Sequence, residues 1–175
     1  MVWMEEKIIY RNYKFRIYPN KEQEKHLGFV LDQSRRAYNR IIILSRRIYK
    51  RFKHKNEKVW LKKTDKIHFT RKIARGYMKL MRSESEDLQK ISAIVLDDTI
   101  DRVLDAYKRF FKNIKEGATG SPPRIKKGKD FNSFLYNSPK SFTLNGNRLK
   151  LQKFKNVGTI KTKVHRPIDG ELKTC

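Results

Sequence analysis

The sequence predicts an α+β fold in which a small β-barrel is interrupted by a three-helix insertion. Over residues 20–116, large apolar side chains recur at steps of three and four, which is the spacing of amphipathic helices. Residues 8–18 and 117–175 instead hold short alternating segments separated by turn residues, as is typical of strands. A barrel of this size usually needs about five strands, and the N-terminal strand would complete the set. The predicted domains are therefore 1–19 (first barrel strand), 20–116 (helical insertion) and 117–175 (remainder of the barrel).

The first predicted elements are a strand and a long helix. Apolar and polar side chains alternate over residues 13–18, which predicts a half-buried strand that ends at Pro19. Asn20 and Gln23 have the spacing of a capping box, so we predict a helix over residues 21–53.

Two further helices complete the predicted insertion. Thr70 is placed to cap a helix over residues 71–81. Residues 85–116 carry one continuous apolar seam and predict a single helix roughly 45 Å long. Gly117 supplies the signal that ends it.

The C-terminal part predicts short strands around turns. Asn145-Gly146-Asn147 lies between alternating apolar residues, which is a strong hairpin signal. The predicted strands are residues 131–136, 141–144, 148–151, 157–165 and 171–174.

Net charge is the main evidence for a partner. The chain of 175 residues has 43 Lys and Arg against 18 Asp and Glu, a formal net charge of +25 with a pI near 10.3. Such a surface repels itself unless a polyanion neutralises it, and nucleic acid is the most common polyanionic partner. The alternatives are a solvated basic surface and contact with an anionic membrane. An aromatic content of 11% and helices with apolar seams favour a folded nucleic-acid-binding protein.

The sequence also indicates a compartment. The single cysteine, Cys175, excludes an internal disulfide and a CxxC metal cluster, which fits a reducing environment. Residues 1–6 carry acids and lack a long apolar run, so no signal peptide is predicted, and no apolar window is long enough to span a membrane. We therefore expect a cytoplasmic protein.

The first helix carries a basic stripe. No acid occurs between Gln33 and Asn56, whereas an ordinary surface helix mixes signs to form ion pairs four residues apart. We interpret the outer face as a ridge that contacts phosphates, with a solvated basic face as the alternative. Its arginines are Arg35, Arg36, Arg40, Arg47 and Arg51.

The chain shows no recognisable active site. Asp97, Asp101 and Asp105 recur every four residues with Asp98 beside them, but one helix face presents carboxylates divergently. We expect this row to pair with neighbouring Arg or Lys rather than to bind a metal. Aromatic residues interleave with cations over residues 10–18, which suits phosphate contacts with base stacking on RNA. Packing inside a barrel explains half of these aromatics equally well.

Several separated motifs together resemble one family. They are Tyr13-Lys14-Phe15-Arg16-Ile17-Tyr18-Pro19-Asn20, Arg35-Arg36-Ala37-Tyr38-Asn39, Asp105-Ala106-Tyr107-Lys108-Arg109-Phe110-Phe111, Pro123-Arg124-Ile125-Lys126-Lys127, Ser133-Phe134, Arg148-Leu149-Lys150-Leu151, and Val164-His165-Arg166-Pro167 followed by Gly170-Glu171-Leu172-Lys173-Thr174. In this order and spacing they resemble the N-terminal half of the OrfB-like transposases of the IS605/IS607 groups. That family comprises transposon-encoded RNA-guided nucleases related to the compact type V CRISPR effectors.

The resemblance implies a division of labour. An OB-like barrel, called the wedge domain, and a helical recognition domain would hold guide RNA and recognise a short motif in double-stranded DNA beside the target, while guide pairing specifies the rest. The family's catalytic domain, with its Mg²⁺ site and structural Zn²⁺, would lie beyond this chain. We therefore expect a protein truncated before its nuclease, possessing no catalytic residue, metal ligand or cofactor, and a nuclease half encoded downstream.

The resemblance also implies site residues. Lys14 and Arg16, with Arg124, Lys126 and Lys127, would hold RNA at the barrel, while the arginines of the first helix would contact the backbone of guide or heteroduplex. The DNA motif would face Phe69, Thr70, Ile94, Asp97, Asn137 and Ser138. Asp97 stands where the family usually has Gln, and a carboxylate accepts but does not donate. The family's usual AT-rich motif is therefore not expected from this position.

Other functions remain open on the sequence alone. One is a stand-alone basic RNA-binding protein of ribosomal type, without a guide or a DNA target. Another is an RNA-guided repressor that binds DNA without cutting it. A third is a decayed gene product without function. Whether the chain belongs to an enzyme is left undecided.

Overall fold

The computed structural model describes residues 10–55, 69–154 and 157–175, with only the backbone described over 51–55. These residues form a mixed helix and sheet structure, which confirms the α+β class. In chain order the elements are β1 (Arg16–Tyr18), α1 (Lys21–Lys55), α2 (Arg71–Ser83), α3 (Glu86–Gln89), α4 (Ala93–Lys115), β2 (Phe142–Asn145), β3 (Arg148–Leu151) and β4 (Ile160–Lys163), with 3₁₀ turns at Gly128–Asp130 and Pro139–Ser141.

The predicted capping box begins α1. The backbone N–H of Asn20 donates to Gln23 Oε1 at 3.0 Å, and the backbone N–H of Gln23 donates to Asn20 Oδ1 at 2.8 Å. The helix then continues to Lys55, close to the predicted end. Gln23 is only 5% exposed, and its side-chain amide donates to the carbonyls of Val157 at 2.8 Å and Thr159 at 3.1 Å. One buried side chain thus joins the start of α1 to the segment that leads into β4.

α1, α2 and α4 pack around a common apolar core. Its fully buried side chains include Ile41, Ile42, Phe69, Val95, Leu96, Ile100 and Val103. Two polar groups inside this core satisfy each other, since the Ser45 hydroxyl donates to the Tyr107 hydroxyl at 2.8 Å. The predicted cap of α2 is confirmed, because Thr70 Oγ1 accepts from the backbone N–H of Ile73.

The prediction of one continuous helix over 85–116 is wrong. The chain forms the short α3, leaves helical geometry and starts again at α4, with Ser92 extended at φ −60° and ψ 133°. The Ser92 hydroxyl donates to Gln152 Oε1 at 2.8 Å instead of capping α4. Leu88, Ile91 and Val95 are all buried across this break, so the apolar period continues although the helix does not. Gly117 ends α4 as predicted, at φ 73°.

The four strands form one antiparallel sheet in the order β1-β4-β3-β2. The expectation that the N-terminal strand joins the C-terminal ones is confirmed by the β1–β4 pairing. β2 and β3 form the predicted hairpin around Gly146, which has φ 53°. Within the described residues β1 and β2 are open edges, so the predicted closed, OB-like barrel is not what these strands form.

Several predicted strands are shorter than expected or not formed as strands. The N-terminal strand covers only Arg16–Tyr18, and residues 8–9 of that prediction lie outside the described part. Residues 131–136 and 171–174 are irregular. The first of these segments instead docks on α4, where Arg102 donates to the Ser133 carbonyl at 2.9 Å. At its end Tyr136 exchanges two backbone hydrogen bonds with Cys175, at 2.7 and 2.9 Å.

Candidate nucleic-acid interface

The predicted basic stripe of α1 faces solvent. Arg36, Arg40 and Arg47, here called the α1 ridge, are all exposed and lie within about 40° of one another around the helix axis. The buried side of α1 carries Ser34, Ile41 and Ser45 and lies on the opposite face. This arrangement leaves the ridge free to meet a partner along its length. The side chain of Arg51, the next predicted member, lies outside the described residues.

One acid modifies the N-terminal end of the ridge. Asp32 accepts hydrogen bonds from both Arg35 and Arg36, the latter at 2.7 Å. The hydrogen bond from Arg35 lowers the pKa of Asp32, with the charge of Arg36 adding to the effect. Arg35 is half-buried, and its charge is partly neutralised by Asp32. In the described part of the chain, Arg40 and Arg47 have no acidic partner.

A second line of cations lies along α1. Asn39 and the backbone of Lys126 exchange two hydrogen bonds, with Asn39 Nδ2 donating at 3.0 Å and Asn39 Oδ1 accepting at 2.8 Å. Two helical turns further along α1, Arg46 donates to the Pro123 carbonyl at 2.9 Å. Segment 123–127 consequently runs antiparallel to the helix, roughly 60–80° around its axis from Arg36.

This placement differs from the predicted one. The sequence grouped Arg124, Lys126 and Lys127 with the first strand, but the backbone of their segment is hydrogen-bonded to side chains of α1. The Arg124 side chain donates to Ser121 Oγ, just before this segment, at 3.1 Å. All three side chains are exposed. The α1 ridge and segment 123–127 together therefore form one basic surface, made from parts of the chain whose joining contacts span 77 and 87 residues.

The sheet presents a second basic surface. Cross-strand register places Arg16 opposite Lys163, and Lys161 between Tyr18 and Arg148. We call the exposed residues of this side the basic sheet face; they are Arg16, Tyr18, Arg148, Lys150, Lys161 and Lys163. The other side buries Leu149, Leu151, Ile160 and Thr162 against the core. Lys14 is exposed two residues before Arg16, ahead of the ladder.

Like charges placed directly opposite each other destabilise a sheet. The Arg16–Lys163 and Arg148–Lys161 pairs have this arrangement, and no acid of the described strands faces them. The Arg16 guanidinium lies 5.5 Å from the Tyr18 ring centroid, so the aromatic offsets part of its charge. A bound polyanion would remove the remaining repulsion. Of this face the sequence analysis identified only Arg16, together with Lys14 just before it. The alternation of cations in residues 148–151 and 160–163 could have indicated the other members.

The residues predicted to face a DNA motif are only partly brought together. Phe69 is fully buried and packs near Tyr107, so it presents no surface in this structure. Thr70 is exposed at the start of α2. Asp97 lies on α4 beside that helix, because Arg75 donates to its carboxylate at 2.8 Å, which raises the pKa of Arg75. Ile94 is half-buried one turn before it.

Asn137 and Ser138 belong to a different contact. Asn137 is exposed, and the Ser138 carbonyl accepts from the backbone N–H of Ser141 at 2.9 Å. Neither residue has a recorded hydrogen bond to α2 or α4 among the described residues. The structure thus joins Thr70 with Asp97 through paired helices, and it leaves the contribution of this loop a prediction.

The aspartate row is engaged in ion pairs, as expected. Asp97 pairs with Arg75, Asp98 with Arg102, Asp101 with Arg71, and Asp105 with Lys108. Asp98 is the most buried of them, and burial raises its pKa although Arg102 opposes that shift. Among the described residues no group of His, Cys, Asp or Glu is arranged to hold a metal ion. Nor does any helix there have the length and apolarity needed to cross a membrane.

Comparison with known proteins identifies one related domain. Residues 4–54 match the model of the helix-turn-helix domain of IS605 OrfB proteins, while no curated protein shows significant similarity. Over residues 10–54, the described part of the match, the chain forms β1 and one uninterrupted helix rather than two helices joined by a turn. The matched region is the one that carries the α1 ridge, and a helix-turn-helix domain suggests DNA as a partner. Over residues 4–54 the chain is therefore similar to the IS605 OrfB transposase family.

Proposed function

We propose that this chain is a nucleic-acid-binding part of an IS605 OrfB-type transposon protein and that it holds DNA against α1. The observation that carries the proposal is the alignment of two lines of cations on one surface. The α1 ridge supplies Arg36, Arg40 and Arg47, and segment 123–127 supplies Arg124, Lys126 and Lys127 beside them. Asn39 fixes the separation of these two lines through its paired hydrogen bonds with Lys126.

The physical basis is charge. Arginines that meet phosphates release condensed counterions, which supplies a large sequence-independent part of binding free energy. From Arg36 to Arg47 the ridge is roughly 17 Å long, so it follows a phosphate backbone over about half a turn of a duplex. Because this ridge lies along the helix flank, it predicts backbone contact rather than insertion of a recognition helix into a groove.

In the RNA-guided form of this proposal, the basic sheet face holds guide RNA. Its support is the pair of like-charged rows in the sheet, which a polyanion would stabilise, and Tyr18, whose exposed ring offers a stacking surface. Lys14 and Arg16 act here, as expected from the resemblance, and Arg148, Lys150, Lys161 and Lys163 join them.

A DNA motif would be recognised at the contact between α2 and α4. Thr70, Ile94 and Asp97 lie there, and Phe69 supports Thr70 from within the core rather than touching DNA. Asp97 is already paired with Arg75, whose side chain is 53% exposed. We infer that the pair acts as a unit, with Arg75 approaching DNA and Asp97 holding its guanidinium, while Asn137 and Ser138 contribute from the neighbouring loop.

The α1 ridge is tested by neutralising Arg36→Gln, Arg40→Gln and Arg47→Gln together and measuring affinity for two unrelated duplexes. The control neutralises three exposed lysines that lie outside both basic surfaces and away from the proposed motif site, Lys90→Gln, Lys108→Gln and Lys112→Gln. Both variants lose three charges, so only position distinguishes them. We expect a ten-fold or greater loss, about 1.4 kcal/mol or more, for the ridge variant on both duplexes, and a much smaller loss for the control. Equal losses would show that general charge, not the ridge, accounts for binding.

The sheet face is tested separately with Arg148→Gln and Lys161→Gln. Removing these opposed cations should weaken binding of structured RNA while raising the melting temperature, because their mutual repulsion is relieved. The duplex affinity should stay the same. An unchanged RNA affinity would refute the RNA contact of this face and leave the α1 ridge as the sole proposed surface.

A further inference from the structure

A cleft lies apart from both basic surfaces, where the first turns of α1 meet the junction of α3 and α4 and the turn after β3. Its volume is about 840 Å³, within the range of sites that hold small ligands. Three lysines line it, one from each of these parts: Lys25, Lys90 and Lys153. The cleft also contains Glu22, so cations predominate by three to one among its charged lining residues.

One wall of the cleft is aromatic. Phe29 and His26 lie one turn apart on α1, with ring centroids 6.2 Å apart. His26 is held edge-on against the buried Phe154 ring, 4.4 Å between centroids. Burial lowers the pKa of His26, which favours the uncharged form of its imidazole. The wall therefore combines two flat aromatic rings with the ammonium groups of the lysines that line the cleft.

A third element of the cleft is a fixed amide. Gln152 Oε1 accepts from Ser92, and the backbone N–H of Gln152 donates to the Ser141 carbonyl at 2.8 Å. The first bond orients the side chain and the second holds its backbone, while within the residues that the structure describes the side-chain NH₂ makes no hydrogen bond. An oriented NH₂ group in a cleft can donate to a carbonyl or ring nitrogen of a ligand.

Lys153 occupies this cleft in a backbone conformation that favours glycine. Its φ is 66°, the only positive φ of a non-glycine residue in the described chain. The tight turn that imposes it is closed by the Phe154 N–H donating to the Leu151 carbonyl at 3.3 Å. Glycine would fill the turn without steric cost, so a lysine here carries strain that its folded contacts do not explain.

We propose that this cleft binds one unstacked nucleotide of a single-stranded nucleic acid segment, with the base against Phe29 and His26 and the phosphate between the lysines. Base stacking on aromatic rings and cationic contacts to the backbone are the common means of single-strand recognition. Gln152 donates to the base edge. This inference rests on the proposed nucleic-acid-binding function and adds a single-stranded ligand that neither basic surface requires.

The test compares the full chain with Phe29→Leu and Lys153→Gly, using labelled ten-nucleotide single strands of RNA and of DNA, and a blunt duplex of the same sequence. Leucine keeps an apolar side chain but removes the ring, and glycine removes the ammonium while relieving the turn. Lys140→Gln, which changes an exposed lysine outside the cleft, is the control.

We expect each cleft variant to weaken single-strand binding by about five-fold or more and to leave duplex affinity unchanged. The melting temperature of Lys153→Gly should equal or exceed that of the unmodified chain, which separates loss of binding from loss of folding. A loss confined to RNA or to DNA identifies the source of the nucleotide. Unchanged single-strand affinity in both variants, equal losses on duplex, or no single-strand binding by the unmodified chain would overturn the proposal. If the unmodified chain binds single strands but not the duplex, that result contradicts the proposed function of α1 and not the cleft proposal.

Discussion

Gln23 is predicted to be the side chain that most strongly couples the helices to the sheet. It is 5% exposed, completes the capping box with Asn20, and donates to the carbonyls of Val157 and Thr159. Gln23→Ala removes the two interelement hydrogen bonds, at about 0.5–1.5 kcal/mol each, and half of the capping box, at about 1 kcal/mol. The free energy of unfolding should therefore fall by about 2–4 kcal/mol, since both carbonyls lose their partner.

The matched control is Gln33→Ala, which truncates a half-buried glutamine of the same helix that has no recorded side-chain hydrogen bond in the described part. Urea unfolding followed by far-ultraviolet circular dichroism measures both variants. Gln23→Glu adds a second check, because a carboxylate would face two carbonyl oxygens that now accept from an amide. Its pKa would be raised in the folded state, so its stability should be present at acidic pH and be lost as pH rises through that pKa. Equal destabilisation by Gln23→Ala and Gln33→Ala would refute the coupling.

Three further predictions concern side chains that position the basic surfaces and the core. Asn39→Ala should release segment 123–127 from α1, because both hydrogen bonds to Lys126 are lost. Trypsin should then cleave after Lys126 or Lys127 faster than in a Gln33→Ala control. An unchanged cleavage rate would contradict the docking of this segment on α1. Asp32→Asn should strengthen DNA binding, because Arg35 and Arg36 lose their acidic partner. At pH values above the lowered pKa of Asp32, the free energy of unfolding should fall by no more than about 1 kcal/mol, because these ion pairs are partly exposed. Weaker DNA binding would count against the ridge. Burial raises the pKa of Asp98, so the unmodified protein loses stability as pH rises and this carboxyl ionises. The loss of unfolding free energy caused by Asp98→Asn should therefore become smaller between about pH 4 and pH 7. If urea titrations show a loss that grows with pH, the ion pair with Arg102 dominates instead.

The structural features that could be predicted from the sequence depend on residues close together in the chain. The capping box of Asn20 and Gln23, the cap at Thr70 and the hairpin around Gly146 each depend on residues within four positions, and all are confirmed. The break at Ser92 was missed because the apolar period continues through it, and the hydroxyl that stabilises the break bonds to Gln152, 60 residues away.

The candidate surfaces illustrate the same limit. The exposed stripe of Arg36, Arg40 and Arg47 follows from helical spacing and lies where it was predicted. Segment 123–127 was placed with the wrong element, since its position depends on Asn39 and Arg46, which pattern alone does not pair with a loop. The open sheet likewise depends on which strands pair, and the alternation in each strand predicts faces but not closure.

The most direct test of the central claim is the salt dependence of duplex binding by the unmodified chain and by the variant Arg36→Gln, Arg40→Gln, Arg47→Gln. Each phosphate contact contributes about 0.9 to the slope of log affinity against log salt concentration. If the α1 ridge holds the DNA backbone, the slope should become shallower by about 2.7 in the variant, and to the same extent on unrelated sequences. An unchanged slope would show that Arg36, Arg40 and Arg47 do not contact phosphates, although Arg40 and Arg47 are exposed. It would therefore contradict the proposal that the α1 ridge holds the DNA backbone.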